Sequence, residues 1–210
     1  MKELNINIPS SWDEITLEMF DSLTPSESNP YEKTVEILNV LTGLSKEEIN
    51  KLPATFLESS GLLEKIKFLQ QEPRKKMPQE IFKTPTTKYH VNVYPGKWTA
   101  AQYLDYNTTI SNNVTKKMAR LIACFTVPDG KKYGEDYDFE RVVDDIYENM
   151  PVTLAMGYAS FFQLQLTSFV KALSAYSERK KKRLTRRQAS RLSKKVQKEV
   201  SIQSGTPSSL

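Results

Sequence analysis

Glu140, Asp144 and Glu148 recur every four residues, a spacing that sets three carboxylates on one helix face. Carboxylates held close together can divide the roles of general acid and general base. The same spacing marks a solvated helix face, and that is the expectation here. Cys124 is the only cysteine and His90 the only histidine. A thiol nucleophile would need that imidazole as its base. Cys124 instead sits in the apolar run Leu121-Ile122-Ala123-Cys124-Phe125, which predicts a small buried core residue. With no second cysteine there is no internal disulfide. The stretch Asp129 to Glu140 places Gly134 sixth and Glu140 twelfth, as a calcium-binding loop does. Its third and fifth places are Lys131 and Tyr133, where oxygen ligands are required, and an ammonium repels the ion. The sequence has no His/Cys set at transition-metal spacing, no G-x-x-x-x-G-K-[ST] loop and no G-x-S-x-G turn. The expectation is a protein without catalytic residues, metal or cofactor.

The residue pattern that stands out is cationic. Arg179, Lys180, Lys181, Lys182, Arg183, Arg186, Arg187, Arg191, Lys194, Lys195 and Lys198 lie within twenty residues that hold no Asp or Glu. The chain carries 30 basic and 25 acidic residues, so without these eleven it has 19 against 25, a net charge of −6. An acidic body therefore ends in a cationic arm, an asymmetry that points to an anionic partner. Leu184, Gln188, Leu192, Val196 and Val200 recur at i+4 and leave a sparse apolar stripe. Three readings follow: phosphate neutralisation on nucleic acid, contact with a protein partner, or a tail with no specific role. No aromatic follows Tyr176, so base stacking and membrane anchoring by the arm are not expected.

These residues need elements to position them. Hydrophobic residues make up 39%, enough for a core, and 7 glycines are too few for many tight hairpins. The expected class is mainly α with a small β element, that is, α+β. Leu4, Ile6 and Ile8 alternate as a short strand, and Ser10-Ser11-Trp12-Asp13-Glu14 opens a helix with Ser or Asp as its N-cap. Val35, Leu38, Leu41 and Leu44 mark a helix closed by Gly43. Ser45 with Glu48 forms a capping box. Residues 62–71 give another helix, and Pro73 to Pro85 reads as a linker. Tyr89, Val91 and Val93 alternate as a strand that Ile81-Phe82 can pair with. Helical patterns return at 99–106, 113–126, 138–149 and from Val152 onward. Phe161, Phe162, Leu164, Leu166, Phe169, Val170 and Leu173 cover more than one face of that last helix. It is either the central core helix or, in part, a surface for a partner or a second copy. No apolar run is long enough to span a membrane, and no signal peptide opens the chain. A reducing cytosol is the expected compartment.

The chain also resembles itself. Residues 2–20 lie over 88–106 at a constant offset of 86, matching Lys2 with Lys88, Pro9 with Pro95 and Trp12 with Trp98. Leu52-Pro53-Ala54-Thr55 matches Met150-Pro151-Val152-Thr153 further on. This suggests a pseudo-duplication of a strand-plus-helices lobe, with Trp12 and Trp98 as equivalent anchors; the alternative is two unrelated core tryptophans. The expected organisation is a first lobe over 1–72, a linker or hairpin over 73–87, a second lobe over 88–177 and a basic helical or disordered arm over 178–210.

The blocks Trp12-Asp13-Glu14-Ile15-Thr16, Trp98 to Asp105 and Ala119 to Phe125, with Met150-Pro151 and Phe161-Phe162, resemble small helical proteins from the structural gene clusters of tailed bacteriophages. Those of phages infecting Bacteroides-type gut bacteria are most similar, some of them tail assembly chaperones. The resemblance spans about residues 1–176 and leaves the arm outside. It implies a non-enzymatic role in virion assembly. The chain would bind a tail, portal or connector protein in the host cytoplasm, or join the virion as a minor structural component. The runner-up is a non-specific nucleic-acid-binding protein using the arm.

Overall fold

The computed structural model describes residues 8–23, 29–53, 61–135 and 137–203. It is mainly helical with one small three-stranded antiparallel sheet. Leu4, Ile6 and the 54–55 part of the internal match lie outside the described residues. The chain forms two compact units, Met1–Gln163 and Leu164–Leu210.

In the first unit, α1 (Leu17–Ser22) starts where the Thr16 side chain accepts from the Met19 amide. α2 (Pro30–Thr42) has Pro in its first turn and ends at Gly43, whose φ of 69° is the left-handed closure expected of a glycine there. α3 (Lys46–Asn50) carries the full Ser45/Glu48 capping box. Val35, Leu38 and Ile49 bury their side chains between α2 and α3, with Ile8 and Leu44 packed against them. α4 (Leu62–Lys65) tightens into a 3-10 turn over Ile66–Gln70.

The sheet is β1 (Ile81–Lys83), β2 (Lys88–Val91) and β3 (Thr126–Pro128), in that spatial order. Phe82 faces Tyr89 across the first ladder, and Val91 faces Thr126 across the second. α5 (Ala100–Ser111) opens with a second capping box, Thr99 and Gln102. α6 (Lys117–Ala123) is shorter than the helical pattern over 113–126. Its entry is Lys116 at a φ of 51°, and after Cys124 the β-branched residues Thr126 and Val127 and then Pro128 turn the chain into β3. α7 (Phe139–Asn149) is capped by Asp138. α8 (Val152–Gln203) runs for 52 residues.

One aromatic cluster forms the centre of this unit. The Phe125 ring lies 4.5 Å from Trp98, 4.3 Å from Phe162 and 5.4 Å from Tyr106. Val142, Val143 and Ile146 of α7 and Val152, Ala155 and Tyr158 of α8 are buried in the same unit. The N-terminal segment joins this core. Leu17 N–H donates to Met150 O, and Val152 N–H donates to Ile15 O. Residues from the 1–72 segment and the 88–177 segment thus share one compact body.

Trp12 and Trp98 have related but unequal settings. Each indole N–H donates at 2.8 Å to a backbone carbonyl, Gln71 for Trp12 and Asn92 for Trp98. Trp98 packs in the Phe125 cluster, whereas Trp12 meets Phe20 and Phe68 edge to face. The helix expected to open at Ser10 to Glu14 begins only at Leu17, because Thr16 rather than Ser or Asp supplies the cap, and the helix after Trp98 begins at Ala100.

Between Gln71 and Glu80 the chain is an extended strap laid on the first turns of α8. Lys76 N–H donates to Thr153 O at 2.9 Å. The Tyr158 hydroxyl donates to Gln79 O at 2.5 Å and accepts from Gln79 N at 3.2 Å. This seat depends on Gly157, because a Cβ there would lie 1.9 Å from Lys76 O. Replacing a mid-helix glycine by alanine normally stabilises by about 1 kcal/mol. Gly157→Ala is expected to do the opposite, losing about 1–3 kcal/mol as the strap is forced off. Denaturant unfolding at equilibrium checks the sign, and a stabilised variant would contradict the contact.

Candidate functional site

The cationic arm is part of the second unit and is helical. Arg179, Lys180, Lys181, Lys182, Arg183, Arg186, Arg187, Arg191 and Lys194 are all exposed. None of the nine makes an ion pair among the described residues. Lys195 and Lys198 belong to the same helix, and their side chains lie outside the described residues. The helix sorts the described charges that follow Lys182, while Lys181 falls on the side opposite to them. At 3.6 residues per turn, Arg183, Arg186, Arg187, Arg191 and Lys194 fall within about 140° of the circumference. Thr185, Gln188 and Leu192 lie on the opposite side. A helix fixed in this way offers donors on one face to an anionic surface and leaves Leu192, 64% exposed, on the other.

The apolar stretch before the arm divides. Leu154, Tyr158 and Phe162 are buried, and so is Leu166. Leu164, Phe169, Val170 and Tyr176 are exposed. Phe169, Tyr176 and Arg183 are seven residues apart and so share a helix face that passes from aromatic to cationic. Sequence periodicity could not separate the two roles, because apolar residues cover the helix on several sides.

The carboxylates that could have formed a reactive pair have structural partners instead. Glu140 takes a two-pronged hydrogen bond from Arg120, at 2.8 and 2.5 Å. Asp144 accepts from Lys116 Nζ at 2.7 Å, and this bond raises the lysine's pKa. Arg120 is raised likewise by its bond to Glu140. Asp145 takes the buried Tyr89 hydroxyl, whose pKa rises, first because burial disfavours the phenolate. In the 129–140 loop the oxygens are spread rather than convergent. Asp129 holds His90 at 2.5 Å and Lys88 at 3.1 Å, while Asp138 caps α7. Tyr133 donates to Asp105 at 2.6 Å. Among the described residues no group of three His, Cys, Asp or Glu side chains could hold a metal ion. Cys124 is fully buried, and desolvation pushes its thiol up to about 12, far from a reactive thiolate. No described helix is long and apolar enough to cross a membrane.

A cleft that the sequence pattern did not reveal lies beside the strap. It has a volume of about 380 Å³ and is lined by residues including Trp12, Asp13, Phe68, Arg74, Lys75 and Thr153. Asp13 lines the cleft and is held by two bonds. One oxygen accepts from Thr153 Oγ1 at 2.7 Å, and the other pairs with Lys76 Nζ at 2.8 Å. The Lys76 bond, followed by the Thr153 bond, lowers the Asp13 pKa below 3.8. The signal in the sequence is Gly157, an isolated glycine inside a helical pattern, where alanine would be favoured by about 1 kcal/mol. Nothing nearby in sequence named Lys76 as the approaching segment.

Two outcomes follow. A carboxylate whose folded pKa is depressed contributes stability that is complete above its ordinary pKa and is lost as pH falls through the folded value. Wild-type stability should therefore fall below about pH 4, and Asp13→Asn should flatten part of that fall in urea unfolding from pH 6 downward. Cys124 should react with a thiol reagent only as fast as the body unfolds; rapid stoichiometric labelling of the native protein would contradict its burial.

Comparison with protein-family models, curated proteins and solved structures finds no match to this chain.

Proposed function

We propose that this chain is a non-enzymatic bacteriophage morphogenesis protein, a tail assembly chaperone or a minor virion or connector component. It acts by binding a tail, portal or connector protein in the host cytoplasm. The observation that carries the contact is the segment after Gln163, where Leu164, Phe169, Val170 and Tyr176 are exposed on a helix that continues into cations. Large apolar side chains gathered on one exposed helix mark a surface that gains free energy when covered. Aromatic residues followed by arginines on one face suit a partner with an apolar groove and an acidic rim, the charges setting orientation and encounter rate. The phage setting rests on the resemblance of the Trp12, Trp98, Ala119–Phe125 and Met150-Pro151 blocks.

A second reading, sequence-independent binding to nucleic acid, is favoured by one feature, the five cations within one arc of the arm. The two differ in what they require. Phosphate contacts release counterions, so five of them would give a log–log salt slope of roughly −4 to −5. Apolar contact is far less sensitive to salt.

The test is co-expression with the tail, portal and connector proteins of the genome that encodes the chain. A stoichiometric complex that survives raised salt, persists in Arg183→Gln/Arg186→Gln/Arg187→Gln/Arg191→Gln, and weakens by about tenfold or more in Phe169→Ser/Tyr176→Ser is the expected result. Binding only to duplex DNA, lost with salt and with the four arginines, would replace this reading with the second.

A further inference from the structure

The cleft beside the strap lies wholly in the first unit and is independent of the helix face discussed above. Its walls combine two aromatic side chains with a run of three cations. Trp12 and Phe68 are in edge contact, 5.4 Å between ring centroids. The Trp12 indole N–H is already committed to Gln71 O, so this tryptophan has no free donor for a polar partner and offers only ring surface. Arg74, Lys75 and Lys76 follow one another on the strap. Lys76 is neutralised by Asp13 at 2.8 Å. Arg74 and Lys75 are exposed and line the cleft, with no ion pair among the described residues, and Glu72 is the remaining acid of the lining.

Two anionic occupants fit a cationic cleft, an extended acidic peptide or a short run of nucleotides. A peptide adding as a strand along the strap would need a regular row of backbone donors and acceptors. That row is interrupted. Lys76 N–H is bonded to Thr153 O, and both Gln79 groups are bonded to the Tyr158 hydroxyl. A nucleotide needs neither. It needs a ring to lie against and cations for its phosphates, spaced along a groove. The volume of about 380 Å³ is in the range of small-molecule sites and suits one base with its sugar.

We propose that this cleft binds a short single-stranded nucleic acid segment, with one base against Trp12 and adjacent phosphates on Arg74 and Lys75. Recognition is independent of sequence, because every base has a ring face to lay against Trp12. Asp13 and Lys76 pair with each other and do not take part in phosphate contact.

The test uses the full chain with the arm silenced by Arg183→Gln/Arg186→Gln/Arg187→Gln/Arg191→Gln, so that the cleft alone is read. Intrinsic tryptophan fluorescence is followed while a thymidine tetranucleotide is added at low ionic strength. The expected result is saturable quenching that disappears in Trp12→Phe. Adding Arg74→Gln/Lys75→Gln should weaken binding by about tenfold with unchanged unfolding, since both side chains are exposed and unpaired. Thymidine without phosphate should bind far more weakly than the tetranucleotide. Absence of saturable quenching overturns the proposal, and so does quenching that is indifferent to Arg74 and Lys75. A tetraglutamate peptide that competes as well as the tetranucleotide would show charge attraction alone and would overturn it too.

Discussion

A glycine inside a long helix is held there by a carbonyl oxygen. Gly157 of α8 leaves room for Lys76 O, and a single methyl group would close the gap to 1.9 Å. Several other interactions depend on that approach. With the strap lying on the helix, Lys76 N–H reaches Thr153 O, and Gln79 closes on the Tyr158 hydroxyl. Lys76 then pairs with Asp13, and the Gln71 carbonyl meets the Trp12 indole. Each of these contacts is modest in isolation. Together they tie a proline- and lysine-rich segment with little secondary structure of its own to the most buried part of the molecule. The Tyr158 ring stacks on Phe162, which is in the Phe125 cluster.

The same economy governs the charged groups of the body. A reactive centre needs groups whose acidities are driven apart and whose atoms converge on open space. Here the convergent pairs are already closed. Arg120 satisfies Glu140, Lys116 satisfies Asp144, and Asp129 gathers His90 and Lys88. These pairs cross between elements: α6 to α7 in two cases, and β2 to the turn after β3 in the third. The acids therefore work as stitching between helices and sheet. Among the described residues, the exposed groups outside these pairs include, in the second unit, a helix whose apolar and cationic residues follow one another and, in the first unit, the cleft beside the strap.

Much of this was legible in the residues, for identifiable reasons. Caps are local chemistry, so Ser45 with Glu48 and Gly43 marked helix ends that the structure has. The hairpin of Ile81-Phe82 with Tyr89 and Val91 followed from alternation. The α+β class followed from few glycines and strong helical periodicity. Long-range contacts were not legible. β3 was hidden because Phe125-Thr126 continues a helical pattern until Val127 and Pro128 break it, and only pairing with β2 makes it a strand. The strap was read as a linker because its anchor, Gly157, lies some eighty residues away, and an isolated glycine does not say which segment approaches it. Nor could periodicity divide α8 into its buried start and exposed continuation, since burial there is decided by what packs against it. The cleft was invisible for the same reason: its aromatic and cationic walls meet only after the strap is seated.

The picture that results is a first unit organised around one close backbone approach. Amide hydrogen exchange of Lys76 under native conditions tests the organising contact most directly, because that N–H has one partner, Thr153 O, which it reaches only when the strap rests on Gly157. Protection comparable to that of the Val143 and Ile146 amides in the core is the predicted result. Exchange at the rate of an exposed loop would show that the strap is not part of the packed body, and the account built on it would fail.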